Sequence, residues 1–171
     1  QQTFDRWGNV TEFIDAAGFS SQYQYNQQNQ MTKETRSLVK VVSETGAVSY
    51  QQPTSENQYD DFARLVSSKD ANGVLRFQRY NAVGQLTSKT DGNGHSSKAY
   101  YDVFGRQVAN QSAGGYTTVK QFDHQGNVIR SGDVRGGNTQ WLSESSYNEI
   151  GHRIHHTDAN GNVYDYVYDT A

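Results

Sequence analysis

The sequence predicts an all-β fold, in which tandem antiparallel β-hairpins join into one continuous, curved sheet. Three observations predict it. An aromatic residue followed by Asp or Asn recurs about every 21 residues. Turn-forming residues recur at two fixed places in each period. The composition is rich in Tyr, Thr, Ser, Asn, Gln and Gly and holds only 33% hydrophobic residues, which suits strands and turns better than a helical core.

The repeated phrase is clearest in YDVFGRQ, which begins at Tyr101, and in YNAVGQL, which begins at Tyr80. Five of the seven spacings between successive opening aromatic residues are 21 residues. A fixed period in this range is typical of repeat architectures. We therefore expect residues 1–171 to form a single repeat array, cut from a longer one, whose units open near Phe4, Tyr25, Tyr59, Tyr80, Tyr101, Phe122, Tyr147 and Tyr168.

Each unit is predicted to contain two four-residue turns of the type Asp-x-x-Gly. Asp or Asn at the first position can bond the backbone that follows, and Gly at the last position can adopt a positive φ. The second turn begins eleven residues after the opening aromatic, which places one such turn at Asp133–Gly136. The other residues assigned to turns are Asp5, Gly8, Gly18, Asp60, Asp70, Gly73, Gly84, Asp91, Gly94, Asp102, Gly105, Gly115, Asp123, Gly126, Gly151, Asp158 and Gly161.

The segments between turns are six or seven residues long, which is the usual length of a strand. Because the period is constant, equivalent residues are expected to align across neighbouring hairpins. About fifteen strands would exceed what a twisted open sheet holds without curling. The aromatic ladder predicted in this way consists of Tyr25, Tyr59, Tyr80, Tyr101, Phe122, Tyr147 and Tyr168.

Several units depart from the rule. The second unit is 34 residues long, and we interpret residues 37–57 as an extended hairpin insert closed by Pro53. The sixth unit is 25 residues long and is predicted to carry a widened loop containing Trp141. Asn29 and Ala63 stand where the turn Gly is expected. Trp7 and Trp141 do not belong to the aromatic ladder and are therefore candidates for a surface contact.

The remaining motifs give little support to a chemical site. The histidines of HRIHH, at 152, 155 and 156, invite a zinc interpretation, but alternate strand residues point to opposite faces. DANGN and DGNGH resemble calcium loops, yet they lack the bidentate Glu of an EF-hand. There are no cysteines, the net charge is −3, and no apolar run could span a membrane. We predict no catalytic residues, metal, cofactor or nucleic-acid partner.

The combined pattern resembles the YD repeat of the Rhs family. The matching stretches are YDVFGRQV, YNAVGQLTSKTDGNGHSSKAYYD and TDANGNVYDYVYD, and the resemblance extends from Phe4 to Asp169 with the insert as its main gap. In bacterial Rhs proteins, toxin-complex components and teneurins, such repeats wind as a spiral β-sheet into a hollow shell. In the bacterial members the shell encloses a toxic C-terminal domain.

The resemblance implies a structural segment of such a shell, in a secreted or cell-surface polymorphic toxin. Its partners would be neighbouring repeats and the enclosed toxin or effector domain. The autoproteolytic Asp-Pro motif of the family is absent, because Pro53 is the only proline and follows Gln52.

Two alternatives remain open, namely an adhesin-like module that binds glycans or proteins through exposed aromatic residues, and a hydrolase. Open terminal strands are also expected to favour homo-oligomers by edge pairing.

Overall fold

The computed structural model describes residues 1–169 as strands, turns and bends. The predicted all-β class of tandem antiparallel hairpins is confirmed, because fifteen strands follow one another in chain order in one antiparallel sheet that is not closed. Strands β5 and β6 form a separate two-stranded sheet. Among the described residues no helix is long and apolar enough to cross a membrane.

The chain divides into two compact units. The first contains Gln1–Arg79 and Lys89–Gly94, and the second contains Tyr80–Ser88 and the described residues from His95 onward. The strands are β1 (Gln2–Phe4), β2 (Val10–Ile14), β3 (Ser20–Tyr25), β4 (Met31–Arg36), β5 (Val39–Val42), β6 (Val48–Gln51), β7 (Thr54–Tyr59), β8 (Leu65–Lys69), β9 (Leu75–Tyr80), β10 (Leu86–Thr90), β11 (Ser96–Tyr101), β12 (Gln107–Gln111), β13 (Thr117–Phe122), β14 (Val128–Arg135), β15 (Asn138–Tyr147), β16 (Arg153–Thr157) and β17 (Val163–Asp165).

The repeated phrase builds a hairpin turn followed by a β-bulge. At Tyr101 the backbone N–H of Gly105 donates to the Asp102 carbonyl at 3.0 Å, and the N–H of Asp102 donates to the Arg106 carbonyl at 3.0 Å. Gly105 has a φ of 83°, a conformation that strains residues with a side chain. The register then shifts so that Tyr101 pairs with Gln107. A turn closed by a residue in the left-handed region is a common three- to five-residue hairpin connection.

Two turns of this kind close without glycine. Asn29 has a φ of 60° and Ala63 a φ of 64°, while both make the same closing hydrogen bond as their glycine equivalents. Asn tolerates this region because its short polar side chain bonds locally, whereas Ala has no such compensation. The turn geometry is therefore imposed by the flanking pairing, and Ala63 holds a strained backbone.

Replacing Ala63 by Gly is expected to stabilise the chain by about 0.5–1 kcal/mol, since the strain of a left-handed Ala exceeds the extra unfolded-state entropy of Gly. The free energy of unfolding in urea measures the change. Ala16→Gly serves as the matched control, because Ala16 lies in a turn without a positive φ and should lose stability. A less stable Ala63→Gly protein would contradict the account.

The insert of the second unit leaves the main sheet between β4 and β7. Val39 pairs with Gln51 and Val42 pairs with Val48, so that β5 and β6 form a hairpin of their own. The main sheet continues without interruption, because β4 pairs directly with β7 and the Arg36 N–H donates to the Pro53 carbonyl at 2.9 Å. The extra residues therefore leave the order of the main sheet unchanged.

The sixth unit differs from its prediction. Asp133 lies within β14 and not at the start of a turn, and Trp141 lies in β15 and not in a widened loop. The chain reverses instead at Gly136 and Gly137, which have φ values of 57° and 83°. Two residues of positive φ favour a tight hairpin connection, so the four extra residues lengthen the strands and widen no loop.

No hydrophobic side chain is fully buried among the described residues. The ladder aromatics from Tyr25 to Tyr147 are half-buried and Tyr168 is 45% exposed. Without a deep core, the contacts between neighbouring hairpins must come from the sheet and from specific side-chain bonds, which are concentrated at the turns.

Candidate functional site

In each of the turns that begin at Asp60 and Asp102, the carboxylate of that Asp accepts several hydrogen bonds from the turn itself. In the turn of Asp102, Oδ1 accepts hydrogen bonds from the backbone N–H groups of Phe104 and Arg106 at 2.9 and 3.0 Å. Oδ2 remains available and accepts from Arg106 Nε at 2.7 Å. Asp60 and Arg64 repeat this arrangement with the same 2.7 Å distance. In both turns, the Arg four residues after the first Asp is therefore the partner of that Asp.

The amide turns use the complementary arrangement. Asn81 Oδ1 accepts from the N–H groups of Val83 and Gln85, as Asp does. Its remaining group is a donor, and Asn81 Nδ2 donates to Gln85 Oε1 at 2.8 Å. Asn26 and Gln30 form the same pair at 3.0 Å. In the turns that follow the ladder aromatics, an Asp thus takes a donating Arg or Asn four residues on, whereas Asn26 and Asn81 take Gln, whose amide can accept.

The residue in that fifth position also joins neighbouring hairpins. Gln85 Nε2 donates to the carbonyl of Gly105 at 2.8 Å, and Arg106 Nη1 donates to the carbonyl of Asp123 at 2.8 Å. In the first compact unit, Gln30 Nε2 donates to the Ala63 carbonyl at 2.7 Å. The turns that begin at Asn26, Asn81 and Asp102 are therefore each bonded to the next turn along the same edge of the sheet. The sequence shows the recurrence of these residues but not this second role.

The ladder tyrosines bond to the backbone of the preceding hairpin. Between hairpins the strand pairing is short, with only three residue pairs joining β2 to β3. Beyond these three pairs, the Tyr25 hydroxyl donates to the Val10 carbonyl at 2.9 Å and so adds a further bond between β2 and β3. The same hydroxyl-to-carbonyl bond joins Tyr59 to Met31, Tyr101 to Leu86, Tyr147 to Val128 and Tyr168 to Arg153.

Removing one such hydroxyl is expected to cost about 1 kcal/mol, because a half-buried carbonyl loses its donor. Tyr101→Phe tests this loss. The chain offers its own counterpart, since Phe122 occupies the same position without a hydroxyl, and Gln107 is the residue of the preceding hairpin that is equivalent to Leu86. Phe122→Tyr should gain stability by donating to the Gln107 carbonyl. Urea unfolding of both variants would refute the role of the hydroxyl if neither changed the unfolding midpoint.

Hydrogen bonds lower the pKa of several carboxyl groups in the folded chain. The Arg64 guanidinium beside Asp60 lowers the pKa of that carboxyl, and the Asn127 amide lowers the pKa of Asp123. Tyr116 and Arg135 together lower the pKa of Asp133. A carboxyl whose pKa is lower in the folded chain stabilises the fold above its unfolded pKa of about 3.9, and this contribution disappears as the pH falls through the folded pKa.

We therefore expect the urea midpoint to fall as the pH decreases from 5 to 3. Asp133→Asn should be less stable than the parent at pH 7, and the difference should narrow towards pH 3. Asp61→Asn is the control, because Asp61 is exposed at a turn tip and its replacement should leave the stability at pH 7 close to that of the parent. A constant difference between Asp133→Asn and the parent across this range would contradict the assignment.

Asp133 is the one fully buried side chain among the described residues. Its Oδ2 accepts from the Tyr116 hydroxyl at 2.8 Å and from Arg135 Nη2 at 2.9 Å, while Oδ1 has no hydrogen-bond partner in the described part of the chain. Beside it, Gly132 lies opposite Trp141, where an added Cβ would overlap the Gln140 carbonyl oxygen. The site thus clamps the long hairpin of β14 and β15 to the start of β13.

The three histidines of HRIHH contact three different residues. The His155 Nδ1 lies 2.7 Å from Asp165 Oδ1, and the His156 Nδ1 lies 2.9 Å from Ser145 Oγ. The ring centroid of His152 lies 4.6 Å from that of Tyr168. No group of His, Cys, Asp and Glu able to hold a metal ion occurs within residues 1–169.

The two tryptophans differ in position. Trp7 is 61% exposed and takes the third turn position, as Phe62 and Phe104 do, so it belongs to the repeat. The Arg6 guanidinium carbon lies 3.9 Å from its ring centroid. Trp141 is 42% exposed on β15, with the guanidinium carbon of Arg130 6.0 Å from its ring. A surface contact with a partner at Trp7 and Trp141 stays a prediction.

The linked turns have a counterpart in a known family. A family model described as RHS Repeat matches residues 4–38, 59–96 and 80–117, which together exceed half of the chain. The chain belongs to the RHS repeat family. The matched residues contain the turns at Asp5, Asn26, Asp60, Asn81 and Asp102, which carry both kinds of turn pair. A search of curated protein sequences found no match.

One solved structure shares the fold of this RHS repeat chain. The chain is similar to TcdB2-TccC3 without its hypervariable C-terminal region, with a TM-score of 0.65 and 12% identity over 98% of this chain and 9% of that one. A Photorhabdus luminescens Tc holotoxin pore aligns with a TM-score of 0.47 and 13% identity over 92% of this chain and 11% of that one. The chain therefore spans about a tenth of the length of these proteins.

Proposed function

We propose that this chain is a wall segment of an RHS shell that encloses a C-terminal toxin or effector domain, in a secreted or cell-surface bacterial protein. Its partners are the neighbouring repeats and the enclosed domain. The observation that supports the proposal is the bonding of one hairpin to the next, through turn residues such as Gln85 and hydroxyls such as that of Tyr101, in a chain of the RHS repeat family. Such bonds suit a wall that must remain continuous over many strands without a core.

We further propose that the segment has no catalysis of its own. Ser145 and His156 form one pair of a hydroxyl and an imidazole, with Oγ and Nδ1 2.9 Å apart. Ser145 is only 9% exposed, and the ring of Tyr164 lies against His156 with the centroids 6.0 Å apart. A buried hydroxyl covered in this way offers a substrate little access, and its pairing with His156 joins β15 to β16.

The test uses the full-length protein that contains this chain. Protease digestion of the native protein should leave the enclosed domain intact, and Val119→Pro should expose it, because Val119 pairs with both β12 and β14 and proline removes a ladder hydrogen bond. Glu44→Pro is the control. It lies in the turn of the separate insert hairpin and should preserve protection.

Two results would contradict the wall function. In the first, the C-terminal domain of the native protein is digested as fast as the same domain alone. In the second, Val119→Pro protects it as well as Glu44→Pro does. The binding-module alternative predicts the first result, since an external module protects nothing.

A further inference from the structure

The insert hairpin, formed by β5 and β6, has strand edges without a neighbouring strand. In the described part of the chain, β5 and β6 pair only with each other. Pairing on the β3 side ends at Ser37, whose N–H donates to the Ser20 carbonyl at 2.8 Å. Beyond Ser37 the chain continues into β5, which leaves its backbone groups on that side available to a further strand.

A cavity of about 260 Å³ lies where β5 leaves the main sheet. Its apolar wall consists of Phe13, Phe19 and Val39, which are 39%, 59% and 42% exposed. The backbone of Phe19 is fixed, because its N–H donates to Asp15 Oδ1 at 2.9 Å. Small-molecule sites have volumes of roughly 300–1,000 Å³, so this smaller cavity suits a single apolar side chain.

The side chains of β5 give the two faces of an added strand different neighbours. Val39 and Val41 lie on one face, with Val39 at the cavity, and Lys40 lies on the other. Lys40 is exposed, and its ammonium group has no ion pair or hydrogen bond within the described residues. A carboxylate on the neighbouring strand would therefore complement Lys40, and apolar residues on either side of it would complement the valines.

We propose that the open edge of β5 binds an extended segment of a partner protein in which one acidic residue lies between two apolar residues. In an antiparallel addition, the first apolar residue lies beside Val41, the acidic residue beside Lys40, and the second apolar residue enters the cavity next to Phe19. Backbone bonds to the edge supply affinity, while the cavity and Lys40 supply the sequence preference. A second β5 is a poor occupant, because it would bring two Lys40 side chains near each other.

The charge preference is tested on the purified chain with a fluorescein-labelled peptide, GSTVEFTSG, which carries the proposed pattern. Fluorescence anisotropy should show saturable binding that is about fivefold tighter than that of GSTVKFTSG, because the lysine peptide sets two like charges side by side. Lys40→Glu should reverse this preference. Lys98→Glu is the matched control, since it is the same substitution at an exposed position of β11, which is paired on both edges, and it should keep the preference of the parent.

The cavity is tested by a second variant. Phe19→Ser should weaken the binding of GSTVEFTSG by about tenfold, because the phenylalanine of the peptide loses an apolar wall. The same variant should leave the binding of GSTVESTSG unchanged, since that peptide places no ring in the cavity. Circular dichroism shows whether Phe19→Ser is folded, and the comparison of the three peptides on the parent chain does not depend on it.

Three results would overturn the proposal. The first is the absence of saturable binding of GSTVEFTSG, and the second is an equal affinity of the parent chain for GSTVEFTSG and GSTVKFTSG. The third is a dimer of the chain, detected by sedimentation, that GSTVEFTSG dissociates, because it would assign the edge to a second copy. These measurements use the chain alone, so their outcome is independent of the protease protection described above.

Discussion

Replacing Gly132 by alanine is expected to destabilise the chain by about 3 kcal/mol or more, the range of severe overpacking within a sheet. The added Cβ would overlap the Gln140 carbonyl oxygen and lie 2.9 Å from the Trp141 Cα. Both contacts are to backbone atoms of the paired strand, so no side-chain rotation relieves them. The neighbouring Asp133 would also be displaced from Tyr116.

Gly114→Ala is the matched control, because it is the same substitution in the same compact unit, Tyr80–Ser88 and the described residues from His95 onward. An added Cβ at Gly114 meets only Ser112 Oγ, at 4.0 Å, and Gly114 has no positive φ. We expect this variant to unfold in urea close to the parent. Equal midpoints for Gly132→Ala and Gly114→Ala would show that β14 and β15 do not approach each other as described.

The second large expected effect on the free energy of unfolding comes from replacing the Asp–Arg pair of one turn by the Asn–Gln pair of another. Asp102→Asn should lower the urea midpoint strongly, because it removes a charge-assisted bond and sets the Asn Nδ2 donor against the Arg106 guanidinium, which can only donate. Adding Arg106→Gln should recover most of the loss, because the double variant recreates the pair that Asn81 and Gln85 form in the neighbouring turn.

Arg106→Gln alone completes the double-mutant cycle. It should also be destabilising, since the Asp102 carboxylate then faces an amide with no net charge. A positive coupling between the two positions is the expected outcome. Additive effects of the two single variants would show that the identity of the first residue and that of the fifth residue are chosen independently of each other.

The local parts of the fold could be predicted from the sequence. The turn at Asp102–Gly105 depends on residues four apart, and the constant period aligns equivalent hairpins, so the strand order followed. The turn prediction was wrong where an Asp-x-x-Gly sequence is followed by a second glycine. Asp133 begins a matching Asp-x-x-Gly phrase, but the second glycine at 137 allows a tighter reversal further along, and the Asp is buried in β14.

Contacts between hairpins were harder to predict, because the repeat shows which residues recur but not which atoms they reach. The constant period predicts an aromatic ladder, but it does not predict the bond from the Tyr101 hydroxyl to the Leu86 carbonyl. The double role of Gln85 likewise depends on the three-dimensional proximity of Gly105. The exposed aromatic side chains at the turn tips could have been found from the sequence, since Trp7, Phe62 and Phe104 share one position in the repeat.

Determining the structure of the full-length protein by electron cryomicroscopy tests the wall function most directly. We expect the residues of this chain to lie in the wall of a closed cavity, where adjoining repeats extend the sheet beyond β1 and β17. We also expect density for the C-terminal domain inside that cavity. A map in which these residues project as a separate module, with the C-terminal domain outside in solvent, would contradict it.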